Sequence, residues 1–117
     1  RAGLDRMEKK AMIIVTGSVL TNASNRAAIE AEAVAHCRRS RAEPGCIAHN
    51  CHYDVEHPDR LVFVEKWADA AALRVHFAVP ESGVFVRAIS ALSTQTPEME
   101  IYLSEQTSPA TLLAHAI

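Results

Sequence analysis

With 117 residues, 49% of them hydrophobic and 22% charged, the chain has material for one globular core, since single domains cluster near roughly 100–150 residues. A formal net charge of −2 argues against nucleic acid or an anionic membrane as partner, and no run approaches the roughly 18 consecutive apolar residues of a membrane helix. Three cysteines, an odd number with no secretory signal in the sequence, point to reduced thiols and a cytoplasmic protein.

Arg1 to Ala11 mixes charges of both signs with few apolar residues and is read as an N-terminal extension, residues 1–11. Met12 to Leu20, MIIVTGSVL, is β-branched, apolar and closed by Thr21-Asn22, which predicts a first strand. Ser24 or Asn25 can cap a helix from about Arg26 to Ser40. Its inward stripe by helical spacing is Ile29, Ala33, His36, Cys37 and Ser40. The basic run Arg38-Arg39-Ser40-Arg41 falls at the end of that helix, where cations complement the macrodipole. Glu43-Pro44-Gly45 then turns the chain.

Ile47 to Asp54 predicts a second strand of weak alternation, with His49, Cys51 and Tyr53 on one side and Asn50, His52 and Asp54 on the other. A turn at His57-Pro58-Asp59 makes it a hairpin with a third strand, Arg60 to Trp67. There Leu61, Phe63, Glu65 and Trp67 point one way, and Val62, Val64 and Lys66 the other. Asp69 can cap a helix over Ala70 to Ala78 with Leu73, His76 and Phe77 inward. Pro80 to Gly83 reads as a break before a further helical piece, Val84 to Leu92, and Glu98 to Leu103 as the last strand.

The order predicts an α+β, ferredoxin-like β-α-β-β-α-β fold with a four-stranded antiparallel sheet covered by helices. The domain spans residues 12–104, and residues 105–117 form a C-terminal tail that wraps over a partner or frays. Val62 and Val64, with Val15 or Ile14 and Ile101 or Leu103, would leave an apolar patch on the uncovered face. Burying it against a second copy predicts a homodimer.

Ser40 to Cys46, then Asp54, Pro58-Asp59-Arg60, Glu65-Lys66-Trp67-Ala68-Asp69 and Ala72 to Phe77 together resemble the antibiotic biosynthesis monooxygenase family, over roughly Met12 to Ser104. The resemblance implies a dimeric α/β barrel with a pocket between sheet and helices. It also implies either cofactor-free oxidation of phenolic polyketides and quinols or, in another branch, haem opening. That second branch pairs a Trp and a His, matched by Trp67 and His76, with an Asn on the first strand. Here Thr16-Gly17-Ser18 stands at that point, which argues against haem.

Cofactor-free oxygenation needs an apolar pocket, a base and donors that hold a substrate anion, because triplet oxygen must take its electrons from the substrate itself. His76, beside Leu73 and Phe77, is the candidate base, against a packed histidine bonded to the backbone. Trp67 would supply a flat wall and an indole N–H, or simply core. Glu65 shares a face with Phe63 and Trp67. It is either an acid–base group of raised pKa or, as preferred, the partner of Arg74 or another edge cation. Phe63 would be a pocket wall, and Asn50, His52 and Tyr53 would grip a hydroxyl or carbonyl or line a dimer interface.

Cys46, His49, Cys51, His52 and His57 crowd together, but His49 and Cys51 on a regular strand face away from Cys46 and His52. No metal site is therefore expected there. The leading expectation is a monooxygenase that needs no cofactor and takes a small aromatic hydroxy compound and O2 as its partners. The alternative is a non-catalytic dimeric module for a small apolar ligand, which the low aromatic content of 5% favours slightly.

Overall fold

The computed structural model describes residues 11–115, so the reading of residues 1–10 as an extension lies outside the described residues. Strand β1, Met12–Leu20, leads into helix α1, Arg26–Arg41. The hairpin of β2, Cys46–Asp54, and β3, His57–Trp67, follows. Helices α2, Ala70–Ala78, and α3, Pro80–Leu92, precede β4, Glu98–Ser104, and a short terminal helix α4, Pro109–Ala114. The sheet has order β2-β3-β1-β4 with every pair antiparallel, the ferredoxin-like split arrangement. Among the described residues no helix is long and apolar enough to cross a membrane.

Burial follows the alternation read from sequence. Ile13, Val15 and Val19 of β1 and Leu61, Phe63, Glu65 and Trp67 of β3 turn towards the helices and are buried. The stripe of α1 is buried as spaced: Ile29, Ala33, His36, Cys37 and Ser40. Two apolar clusters result, one around Val19, Ile29, Leu61, Phe63 and Ile89, the other around Ile13, Val15, Trp67 and Leu73. Val15 belongs to this inner face, so Ile14 is the β1 residue that turns outward with Val62 and Val64. By register, Ile101 pairs with Val15 and Leu103 with Ile13. Both therefore lie on the helix side of β4 rather than on the outer face.

Local chemistry shifts two boundaries. The hairpin turns at Val55-Glu56, because the Asp54 carboxylate accepts from Glu56 N–H at 2.9 Å and β3 already begins at His57. The break before α3 is one residue, Val79, and Pro80 starts the helix instead of interrupting it. At that first position its missing N–H costs nothing. Asp69 caps α2 as expected, accepting from Ala72 N–H at 2.8 Å. At α1 the capping residue is Asn25, but its Oδ1 accepts from Asn22 N–H, and its Nδ2 donates to the Leu92 carbonyl, tying α1 to the end of α3.

The Glu43-Pro44-Gly45 turn is held against two elements at once. Ala68 N–H at the end of β3 donates to the Gly45 carbonyl at 2.8 Å. Gly45 has φ 81°, and a Cβ there would lie 2.5 Å from the Ala72 Cβ of α2. Only glycine meets both demands, and the close approach brings Glu43 up to the same helix that carries His76.

Candidate active site

A cavity of about 280 Å³ opens between the sheet and α1, α2 and α3, close to the lower end of small-molecule sites, about 300–1,000 Å³. Gly17 and Phe63 from the sheet, with Phe77, Phe85, Val86 and Ile89 from the helices, give it largely apolar walls. Its inner wall is different: His36 of α1, His49 of β2, Glu65 of β3 and His76 of α2 all line it. Each of the four is at most 5% exposed.

Three elements deliver the three imidazoles, and the β2–β3 register sets His49 directly across from Glu65. Glu65 Oε1 accepts from the Trp67 indole N–H at 2.9 Å and lies 3.4 Å from His49 Nε2. Burial pushes the Glu65 carboxyl up, but its contacts with His49 and Trp67 outweigh burial and hold it below the ordinary carboxylate range. The expected pairing of Glu65 with an edge cation and the expected rise of its pKa both give way to this. The residue sits in the core, where the polar groups within reach are a strand neighbour and an indole.

His49 is fully buried, its Nδ1 3.3 Å from the Cys37 sulfur, and its Nε2 has no hydrogen-bond partner. His76 Nδ1 lies 2.9 Å from Glu43 Oε1, a histidine–carboxylate pair that fixes the ring. His36 stacks face to face on Phe85 at 3.9 Å, with Nδ1 3.3 Å from an Arg39 guanidinium nitrogen. Burial, then His49, His76 and Arg39, lower the His36 pKa to about 3, so this ring is neutral. The histidine rings bridge the two apolar clusters, since His76 also lies 4.6 Å from the Trp67 ring.

Of the residues singled out by sequence, His76, Phe63 and Glu65 come together at the cavity. Trp67 does not reach it. It is fully buried in the second apolar cluster and acts on the site through its bond to Glu65. Asn50 and His52 are exposed, because the alternation that turns His49 inward turns them out. Tyr53 faces inward but at the far end of the strand, donating to Glu30 at 2.6 Å beneath the Arg26 guanidinium. Burial and that bond push its phenol up to about 12.

The register shift between Cys46 and Ala48 is a bulge that brings Cys46 to the inner side with Trp67, against the expectation for a regular strand. His36 and Glu43 are the site residues the chain order did not single out, and His49 stood there only among the metal ligands set aside. The signals were present, His36 in the buried stripe and Glu43 in the Glu-Pro-Gly turn, but their convergence needs three elements in register.

The sequence pattern of antibiotic biosynthesis monooxygenases matches residues 12–88. A protein from Synechocystis described as uncharacterized protein sll1783 is 30% identical over 95 residues, 81% of this chain, and the chain spans about 65% of that protein's length. Among solved structures, Rv0793 from Mycobacterium tuberculosis superposes with TM-score 0.77 at 19% identity, covering 84% of this chain and 99% of that one. A conserved protein from Methanosarcina mazei Go1 gives 0.76 at 18% identity over 86% and 99%. At these identities the structural likeness speaks for the fold. The pattern match runs from the first strand into α3, through every residue of the inner wall, and by it the chain belongs to the antibiotic biosynthesis monooxygenase family.

Proposed function

We propose that the chain is a cofactor-independent monooxygenase that oxidises a small phenolic or quinol-type aromatic compound with O2 in this cavity. The observation that carries the reading is an apolar cavity of about 280 Å³ whose buried ionisable groups gather on one wall. Such a cavity buries a flat ring and directs its hydroxyl to the one place where a proton can be taken. His76 is the base. With Nδ1–H donating to Glu43, its Nε2 keeps the lone pair that accepts the proton. Phe63, Phe77 and Phe85 form walls for the ring.

The deprotonated substrate gives an electron to oxygen, and the radical pair recombines at ring carbon. Loss of water then leaves a quinone carbonyl. One oxygen atom enters the substrate, the other leaves as water with two substrate hydrogens, and all four electrons come from the substrate.

Oxygen uptake by chelator-stripped protein, with dihydroxynaphthalenes, quinols and anthrones as substrates, tests this. Saturable uptake above the spontaneous rate, one O2 per product formed, is expected. No uptake across the panel would sink the oxidation and leave ligand binding as the role of the cavity. A Soret band on adding haemin would move the reading to haem.

The working unit in this reading is a homodimer in the cytoplasm. Met99, Ile101 and Leu103 on the helix side of β4 are 54%, 49% and 42% exposed, beyond the helices that cover the other strands, and a second copy is the simplest cover. Sedimentation equilibrium should give twice the chain mass. A monomer at micromolar concentration would overturn the pairing.

A further inference from the structure

We infer that His36, His49 and His76, joined by the Glu65 carboxylate, form a binding site for one divalent first-row transition-metal ion on the inner wall of the cavity. The ligand atoms these three histidines offer lie within 4.8 Å of one another. Nitrogens around a tetrahedral ion with bonds of roughly 2.0–2.1 Å stand about 3.3 Å apart, so small ring rotations close the site once His36 gives up the Arg39 guanidinium that its Nδ1 faces at 3.3 Å. Each ring comes from a different element, and none is more than 5% exposed.

His49 supplies the independent observation. A fully buried imidazole nitrogen without a hydrogen-bond partner is costly, and here Nε2 faces a carboxylate oxygen at 3.4 Å. In the tautomer that directs Nδ1–H at the Cys37 sulfur, Nε2 presents its lone pair to the Glu65 carboxylate. A cation between the two would satisfy both.

The surroundings also suit an ion. Glu43 on His76 Nδ1 is the carboxylate–histidine support that ligating histidines commonly have. Glu43 and Glu65 together balance two positive charges. Three nitrogens and a carboxylate suit Zn2+, Fe2+ or Co2+ rather than Mg2+ or Ca2+. All four groups line the cavity, so an ion reaches them from it. A bound ion takes the His76 lone pair, and metal loading therefore opposes proton transfer. Only this last consequence rests on the oxidation proposed above.

The test is a titration of chelator-stripped protein with Co2+, followed by visible ligand-field absorption, and with Zn2+ against a metallochromic chelator. One ion per chain is expected. His49→Ala should abolish the Co2+ spectrum, and Glu43→Gln should weaken binding about 10–100-fold, as for other second-sphere partners. His57→Ala and His115→Ala, at exposed histidines, should change nothing.

In case a core variant fails to fold, ¹⁵N spectra of the wild-type imidazoles give a second readout. Zn2+ should shift the nitrogens of His36, His49 and His76. Shifts confined to exposed histidines, or ion binding undiminished in folded His49→Ala, would overturn the site. Oxygen uptake that rises on loading would overturn the opposition to proton transfer. Metal binding without uptake by the stripped protein would leave the site standing and remove the oxidation.

Discussion

His76→Gln is expected to cut substrate-dependent oxygen uptake by at least about 100-fold, the lower end of what a positioned general base contributes. Glutamine keeps an N–H that can donate to Glu43 and a side chain of similar reach, but it has no basic lone pair. The variant therefore removes the proposed base and spares the partly buried carboxylate of Glu43, which His76→Ala would leave without its partner. Circular dichroism and urea midpoint should stay close to wild type, while the rate with a hydroxyarene falls to the spontaneous level.

A diagnostic second comparison uses a substrate whose hydroxyl is already ionised at the assay pH. Such a substrate should lose much less on the substitution, because the step proposed for His76 has been done in advance. Equal losses for ionised and neutral substrates would mean that His76 only positions the ring. Undiminished uptake would remove it from the reaction.

What could be read in the chain, and what could not, divides along a physical line. Alternation in β1 and β3 and the stripe of α1 depend on residues a few positions apart, and they survive into the structure because each face is buried on its own terms. The turn at Val55-Glu56 was misplaced because an Asp54 side-chain bond competes with a proline that looks like a turn former. Phe77 follows the helical spacing of Leu73 and His76 yet is 48% exposed, since it sits on the cavity wall and not under the sheet.

The site was half legible. His76, Phe63 and Glu65 could be placed because each lies on a face whose direction local spacing fixes. The meeting of His36, His49 and Glu43 with them depends on the β2–β3 register and on how closely Gly45 lets its turn approach α2. Neither is a local property. Cys46, His49, Cys51, His52 and His57 lie along one hairpin, whereas the three histidines that converge come from three elements.

Trp67→Ala is expected to destabilise the fold by about 3–5 kcal/mol, the range for removing a large aromatic from a packed core. Trp67 is fully buried between Ile13, Val15 and Leu73. Its loss opens a void where Cys46, Ala70 and Ala72 pack against the sheet. The substitution also removes the indole N–H from Glu65, leaving a buried carboxylate whose next contact is His49 at 3.4 Å. Domains of this size hold only about 5–15 kcal/mol in total, so the urea midpoint should fall by at least about a fifth at fixed protein concentration.

Trp67→Phe separates the two losses. It retains most of the packing and loses the donor, and should cost about 1–3 kcal/mol, the penalty of a buried acceptor deprived of its partner. If the tryptophan were a cavity wall rather than core, Trp67→Ala would shift the midpoint little and change substrate affinity instead. That pattern would contradict its placement.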